Sequence, residues 1–254
     1  MKKVRTQLLA TAAVVALGGN AFAADMAVHK ALPPPPLPIP YVNWQGFYIG
    51  GLVGAARLNE TATNFWDGSG RSFPPCSGYN GGSCATAATG AIAGVEVGYD
   101  WQDRYFVYGV AADWTWTGLK HTQTHTSGAT VWTHQAKVEW LASFRGRMGL
   151  AVDTTMVYFT GGLALGGVKS FAQYTDGDNN AAFDWGHLNK VAVGWVAGLG
   201  VEHKFNQNWS VKAEALYYDL GRSTATGTNT THGGYSTEFT HEVIVGRVGV
   251  AYHF

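Results

Sequence analysis

This sequence predicts an all-β fold: eight antiparallel strands closed into a transmembrane β-barrel, behind an N-terminal signal peptide. Three observations carry that prediction. Apolar residues make up 46% of the chain and charged residues only 13%, with 34 glycines and 34 aromatics. Strands and glycine-bearing turns fit that composition better than helices do. Past the N-terminus, the longest apolar run covers 191–201 and is rich in glycine. It falls well short of the roughly 18 residues that a spanning helix needs. The connections between strand-like segments also alternate between long and short, as in a barrel with extended loops at one end and tight turns at the other.

The N-terminus fixes the route. Lys2, Lys3 and Arg5 precede an apolar stretch from Leu8 to Gly19, and Ala21-Phe22-Ala23 is a small-residue cleavage pattern. Residues 1–23 therefore read as a secretory signal peptide. Without them the chain carries 14 Lys and Arg against 17 Asp and Glu, a slightly acidic balance that gives no reason to expect a nucleic-acid partner. Residues 24–43 contain Pro33-Pro34-Pro35-Pro36-Leu37-Pro38-Ile39-Pro40, which favours an extended polyproline leader on the periplasmic side. Residues 44–254 are then the barrel.

The predicted strands are approximately 47–55, 91–101, 105–116, 137–151, 155–168, 190–205, 208–218 and 242–254. Residues 56–90, 117–136, 169–189 and 219–241 become long polar loops; 102–104, 152–154 and 206–207 become turns. A strand sends alternate side chains to opposite faces. Ile244, Gly246, Val248, Val250, Tyr252 and Phe254 share one apolar face of the last strand, while Arg247 lies on the other. The seventh strand places Trp209, Val211, Ala213, Ala215 and Tyr217 opposite Ser210, Lys212 and Glu214. Trp101, Phe106, Phe205, Trp209, Tyr252 and Phe254 collect at the short-turn end; Trp114, Trp116, Trp140, Trp195 and Tyr217 collect near the long loops. Two aromatic girdles around an apolar belt are what membrane interfaces favour.

The same alternation points Glu96, Asp113, Glu139, Glu202 and Glu214 into the lumen with Arg145, Arg147, Lys204, Lys212 and Arg247. An eight-stranded barrel is about wide enough to be filled by its own side chains. Buried charges are costly unless paired, so the balanced set predicts a salt-bridge network sealing the lumen. The alternative use of these residues is a narrow or gated ion path. Gly94-Val95-Glu96 recurs as Gly200-Val201-Glu202, and Gly146-Arg147-Met148-Gly149 as Gly246-Arg247-Val248-Gly249, echoes consistent with a duplicated four-stranded unit.

Cys76 and Cys84 lie in a Gly/Ser/Pro-rich stretch of an exported chain, so a small disulfide-closed loop is expected. Two cysteines alone make no metal site. No catalytic constellation stands out, and the chain is not expected to be an enzyme; His241, Glu242 and Ser236 have the residue types that some lipid A-modifying barrels use, but such residues are common in loops. His121, His125 and His134 are the candidates for holding haemin or a divalent metal at the cell surface. No other cofactor is expected.

Gly46-Phe47-Tyr48-Ile49-Gly50-Gly51, Val107-Tyr108-Gly109-Val110-Ala111-Ala112-Asp113, Thr160-Gly161-Gly162-Leu163-Ala164, Trp209-Ser210-Val211-Lys212-Ala213-Glu214 and the closing Val248-Gly249-Val250-Ala251-Tyr252-His253-Phe254 together resemble the small alphaproteobacterial outer-membrane immunogenic or porin-family proteins, the RopB group. Their barrel is similar to the membrane domain of OmpA. The resemblance implies an abundant outer-membrane protein with both mature termini periplasmic and its long loops extracellular. It implies contact with outer-membrane lipid and lipopolysaccharide, and host or surface ligands at the loops. It also implies insertion by the barrel-assembly machinery, which reads the Val250, Tyr252 and Phe254 end, and haemin binding in some relatives. The chain departs from the pattern in its cysteine-containing first loop and at Leu52, where relatives often carry a polar residue.

Overall fold

A computed structural model describes residues 42–66, 72–73, 84–127, 129–176, 181–229 and 233–254. The signal peptide, most of the leader and Cys76 lie outside those residues, as does the side chain of Cys84. Eight long strands form the barrel: β1 (Gly46–Trp66), β3 (Cys84–Asp103), β4 (Phe106–Ser127), β5 (Thr130–Val152), β6 (Thr155–Asp176), β7 (Ala181–Lys204), β8 (Trp209–Asn229) and β9 (Gly233–His253). A two-residue strand, β2 (Ser72–Phe73), pairs with the far end of β1. Every neighbouring pair is antiparallel, and β1 pairs with β9 from Tyr48↔His253 to Trp66↔Tyr235, so the sheet closes. Closure leaves no sheet edge along that seam and satisfies the backbone groups that lipid cannot.

The short-turn end is built from local chemistry. Arg104 and Asp153 adopt positive φ of 55° and 53° in the β3–β4 and β5–β6 turns. Asn206 Oδ1 accepts from the backbone N–H groups of Asn208 (2.9 Å) and Trp209 (2.8 Å), shaping the β7–β8 turn. Trp44, just before β1, is fully buried there against Val107, Ala151, Met156 and Tyr158, capping the lumen from below. The sequence pattern did not identify that plug, because Trp44 precedes the alternating segment.

The strands run well past their predicted bounds, about 1.7 times as long on average, and most residues of the predicted long loops are strand. The reason is a reversal of polarity along each strand. On β1, Phe47, Ile49 and Val53 face outward and are exposed, with Tyr48, Gly50, Leu52 and Gly54 on the inner side. Higher up, Arg57, Asn59 and Thr61 occupy the outer face while Ala56, Leu58 and Ala62 are buried inside. β5 repeats the change: Phe144 and Met148 outward over inward Arg145 and Arg147, then Ala136 and Val138 inward above. The lower part is apolar outside, as lipid demands, and the upper part is apolar inside, as water demands.

Above the belt the barrel divides. Pairing of β3 with β4 ends at Ile92↔Thr117, and pairing of β7 with β8 ends at Trp195↔Asp219; past those points neither pair is joined among the described residues. The strands continue as two four-stranded sheets, β4–β7 and β8–β9–β1–β3. Leu58, Leu119, Val138, Leu141, Val168, Leu188, Leu220 and Phe239 fill the space between them.

Candidate functional site: a lumen closed in two storeys

The membrane-level interior is an ion network. Arg145 Nη2 lies 3.0 Å from Glu96 Oε2 and 2.9 Å from Asp113 Oδ1, and its Nη1 lies 3.2 Å from Glu214 Oε1. Arg247 closes on the same three acids, with Nε 2.6 Å from Glu214 Oε2 and Nη2 3.2 Å from Asp113 Oδ1 and 3.4 Å from Glu96 Oε2. Below them Arg147 grips Asp100 through two nitrogens and reaches Glu202 Oε2 at 3.0 Å. Lys212 bonds Glu96 and stands 4.0 Å from Glu202, tying the two groups together. Every one of these residues is buried.

Neutral groups take up remaining valences. Ser143 Oγ donates to Asp113 Oδ1 (2.6 Å), Tyr158 Oη to Glu214 Oε1 (2.9 Å) and Ser210 Oγ to Glu202 Oε1 (2.6 Å); His253 Nε2 is 3.0 Å from that same Glu202 oxygen. Tyr48 lies under Arg147 (4.4 Å) and Lys212 (4.7 Å), and Tyr158 under Arg147 (5.2 Å), so both rings meet cations face-on. Each tyrosine lies flat against an inward glycine of a neighbouring strand, Tyr48 on Gly98 and Tyr158 on Gly200, where a Cβ would collide with the ring.

Two of the predicted lumen residues stand elsewhere. Glu139 is on the outer face, half exposed, with Oε1 2.8 Å from Lys137 Nζ and Oε2 2.9 Å from Lys169 Nζ. The reason is a β-bulge between Val138 and Trp140, which sets both Glu139 and Trp140 outside and turns Val138 inward. Strict alternation carried through that point puts Glu139 on the wrong side. Lys204 is buried as predicted, but it donates to the carbonyls of Asn43 (2.8 Å) and Gln207 (3.3 Å) and lies over the Trp44 ring, as part of the lower plug. The other predicted residues, Glu96, Asp113, Arg145, Arg147, Glu202, Lys212, Glu214 and Arg247, all meet in the network. Asp100 joins them unpredicted, although it lies within the predicted strand 91–101 in phase with Glu96.

Among the described residues, the upper storey holds one buried carboxylate. Glu60 points inward at a level where β1 shows Asn59 and Thr61 outside, above the lipid-facing belt. Its Oε1 lies 3.1 Å from His134 Nε2 and its Oε2 2.9 Å from His241 Nε2, both approaches too bent for a linear hydrogen bond, while Ser170 Oγ donates to Oε2 at 3.2 Å. Burial pushes the Glu60 carboxyl up, but the two imidazoles outweigh it and hold it at about 2. His134 stacks on Phe239 with ring centroids 5.8 Å apart. His134 and Ser170 belong to one sheet, and Glu60, Phe239 and His241 to the other, so the cluster is a clasp between them.

His134 is in the clasp, His121 is half-buried on β4, and the side chain of His125 lies outside the described residues. Among the described residues, no group of three His, Cys, Asp or Glu side chains is arranged to hold a metal. His241 is buried inward while Glu242 takes the outward alternation, so those two do not converge on one site.

Comparison with known proteins fits this architecture. The family described as "Outer membrane protein beta-barrel domain" matches residues 9–254. The chain is 36% identical over 214 residues to the 31 kDa outer-membrane immunogenic protein of Brucella melitensis, covering 80% of this chain and 82% of that one. It is 26% identical over 265 residues to the 25 kDa outer-membrane immunogenic protein of the same organism, covering both chains completely. Among solved structures, the outer membrane protein OprG of Pseudomonas aeruginosa is similar with a TM-score of 0.47 at 12% identity, over 83% of this chain and 97% of that one. With the closed eight-stranded barrel, its apolar belt and the match along nearly its whole length, the chain belongs to the outer-membrane β-barrel family that includes the outer-membrane immunogenic proteins.

Proposed function

We propose that this protein is a sealed barrel whose role is envelope integrity and surface contact rather than passage of solutes. The observation that carries this reading is the pairing of Arg145 and Arg247 with the same three carboxylates across the lumen. An ion entering would have to displace charge-assisted hydrogen bonds in a site of low dielectric, where they are strongest. The apolar filling between the upper sheets and the Trp44 plug add two further barriers. In this reading the short-turn end faces the periplasm and the two-sheet extension faces the cell exterior, where it presents the surface that other molecules meet. Val250, Tyr252 and Phe254, all on the outer face, are then open to the assembly machinery before closure.

Planar-bilayer recording of the refolded protein tests it. No reproducible unitary steps are expected from the wild type. Steps that change amplitude in Arg147→Ala would establish the rival reading, a narrow or gated channel.

A further inference from the structure

Three lysines stand side by side on the outer wall just above the upper tryptophans. Lys120 on β4 is in register with Lys137 on β5, and Lys137 with Lys169 on β6. Lys120 and Lys169 are exposed and Lys137 is half-exposed. Like charges placed directly opposite on neighbouring strands repel and destabilise the pair. Among the described residues the acid bonded to this row is Glu139, which serves Lys137 and Lys169. Three lysines and one glutamate leave a net charge of about +2 on a strip about 10 Å wide, two strand spacings.

The row has a defined floor. Trp116, Trp140 and Gly167 are in register across the same three strands. Trp140 stacks on Trp114 at 4.5 Å with an interplanar angle of 16°, and its indole lies across Gly167, which has no side chain to displace it. On β6 the step from Gly167 to Lys169 is two residues, about 6 to 7 Å along the strand. Indoles settle at the boundary between acyl chains and headgroups, so cations one step higher are at headgroup depth.

The opposite wall differs. There Asp219 on β8 is in register with Glu242 on β9, two acids side by side above Tyr217. A diffuse attraction to any anionic bilayer would be opposed by that wall; the lysine row is a local site.

We propose that Lys120, Lys137 and Lys169, above the Trp114–Trp140 platform, bind the phosphorylated headgroup of an outer-leaflet glycolipid, with the lysines on its phosphates and the indoles against its sugar and acyl base. Two phosphate monoesters carry about −3 to −4 between them, more than enough to neutralise the net charge of about +2 on the row, and bringing them in relieves the lysine–lysine repulsion. The bulge that puts Glu139 outside also holds Lys137 and Lys169 together as one unit. This inference rests on the orientation given above, in which the two-sheet end faces the exterior.

Native mass spectrometry of the full chain in neutral detergent, titrated with bisphosphoryl lipid A, monophosphoryl lipid A or phosphatidylglycerol, tests it. Wild type retains bisphosphoryl lipid A most strongly. Lys120→Ala/Lys137→Ala/Lys169→Ala weakens that retention by on the order of 100-fold, at about 1 kcal/mol for each lysine. An Arg57→Ala/Arg222→Ala control on the opposite wall changes it less than about twofold. Millimolar inorganic phosphate leaves the lipid bound. Equal retention of phosphatidylglycerol, loss of lipid to free phosphate, or an unchanged triple variant would each overturn the proposal. Unaltered heat-modifiable gel mobility of the triple variant shows that it has folded. An epitope inserted between β4 and β5 and probed on intact cells reports orientation separately: a buried epitope with intact lipid binding faults the orientation and not the site.

Discussion

The two storeys of the interior solve opposite problems with the same strands. At membrane level the wall must be apolar outside, and the inward positions that remain carry Glu96, Asp100, Asp113, Glu202 and Glu214 against Arg145, Arg147, Lys212 and Arg247. Above the membrane the outside is wet, the inward positions are free to be apolar, and among the described residues a single buried carboxylate, Glu60, remains among leucines, valines and alanines. The solvent outside decides what the inside is made of. A charge inside the lower storey is the counterpart of a lipid-facing residue next to it, and a charge inside the upper storey is an exception that needs its own partners.

Loss of a hub of the lower storey should have the largest effect. Arg145→Ala leaves Glu96, Asp113 and Glu214 sharing Arg247 and Lys212 in a buried site. Removing one partner from a buried ion pair costs about 3–5 kcal/mol, because the charge left behind stays desolvated. Urea unfolding in lipid vesicles, followed by tryptophan fluorescence, should show a loss of that size. A loss under about 1 kcal/mol would mean that the network is loosely held and open to water.

The upper storey answers to pH. The folded value of Glu60, about 2, lies below the ordinary glutamate value of 4.5. Its contribution is therefore fully present above pH 4.5 and is lost as pH falls toward 2, in all about 3 kcal/mol. Because the clasp joins the two sheets, the loss should appear as local opening. Hydrogen exchange at amides near 57–62, 134–138 and 239–243, corrected for intrinsic rates, should accelerate between pH 5 and pH 3. Glu60→Gln should flatten that window while leaving exchange in the lower strands unchanged. Acceleration of equal size in the variant would assign it to other groups.

A third test separates packing from charge within the lower storey. Gly98→Ala puts a Cβ into the Tyr48 ring, which must tilt and give up its contact with Arg147 and Lys212. Overpacking of this kind costs about 1–3 kcal/mol. Gly51→Ala, with open space around its outward position, should cost much less in the same unfolding assay.

Much of this was legible in the sequence because alternation is a strong signal where lipid enforces it. The eight strands, both girdles, and eight of the ten lumen charges follow from reading every second residue, and the duplicated Gly-Val-Glu and Gly-Arg pairs place Glu96 with Glu202 and Arg147 with Arg247 on the inner face. The upper strands were not legible for the same reason. Their alternation reverses phase, so Ala56 and Leu58 with Arg57 and Asn59 look like the start of a loop to a reader following one phase. The clasp was invisible because Glu60, His134 and His241 are 74 and 107 residues apart in the chain and meet only when the two sheets do. Trp44 was missed because a plug needs no periodicity.

The smallest expected effect is the most pointed test of the bulge. Strict alternation makes Glu139 a lumen charge, and a lumen carboxylate bonded to two lysines would be as costly to neutralise as its neighbours. On the outer face its two lysines meet it in water, where screening leaves such pairs with little net value. Glu139→Gln should therefore leave the urea midpoint of the folded barrel where it is, at low and at moderate salt alike. A destabilisation approaching that of Arg145→Ala would return Glu139 to the interior, remove the bulge between Val138 and Trp140, and shift every residue of β5 above it to the opposite face. Lys137 would then point inward, out of line with Lys120 on β4 and Lys169 on β6, and Ala136 and Val138 would face outward at that height.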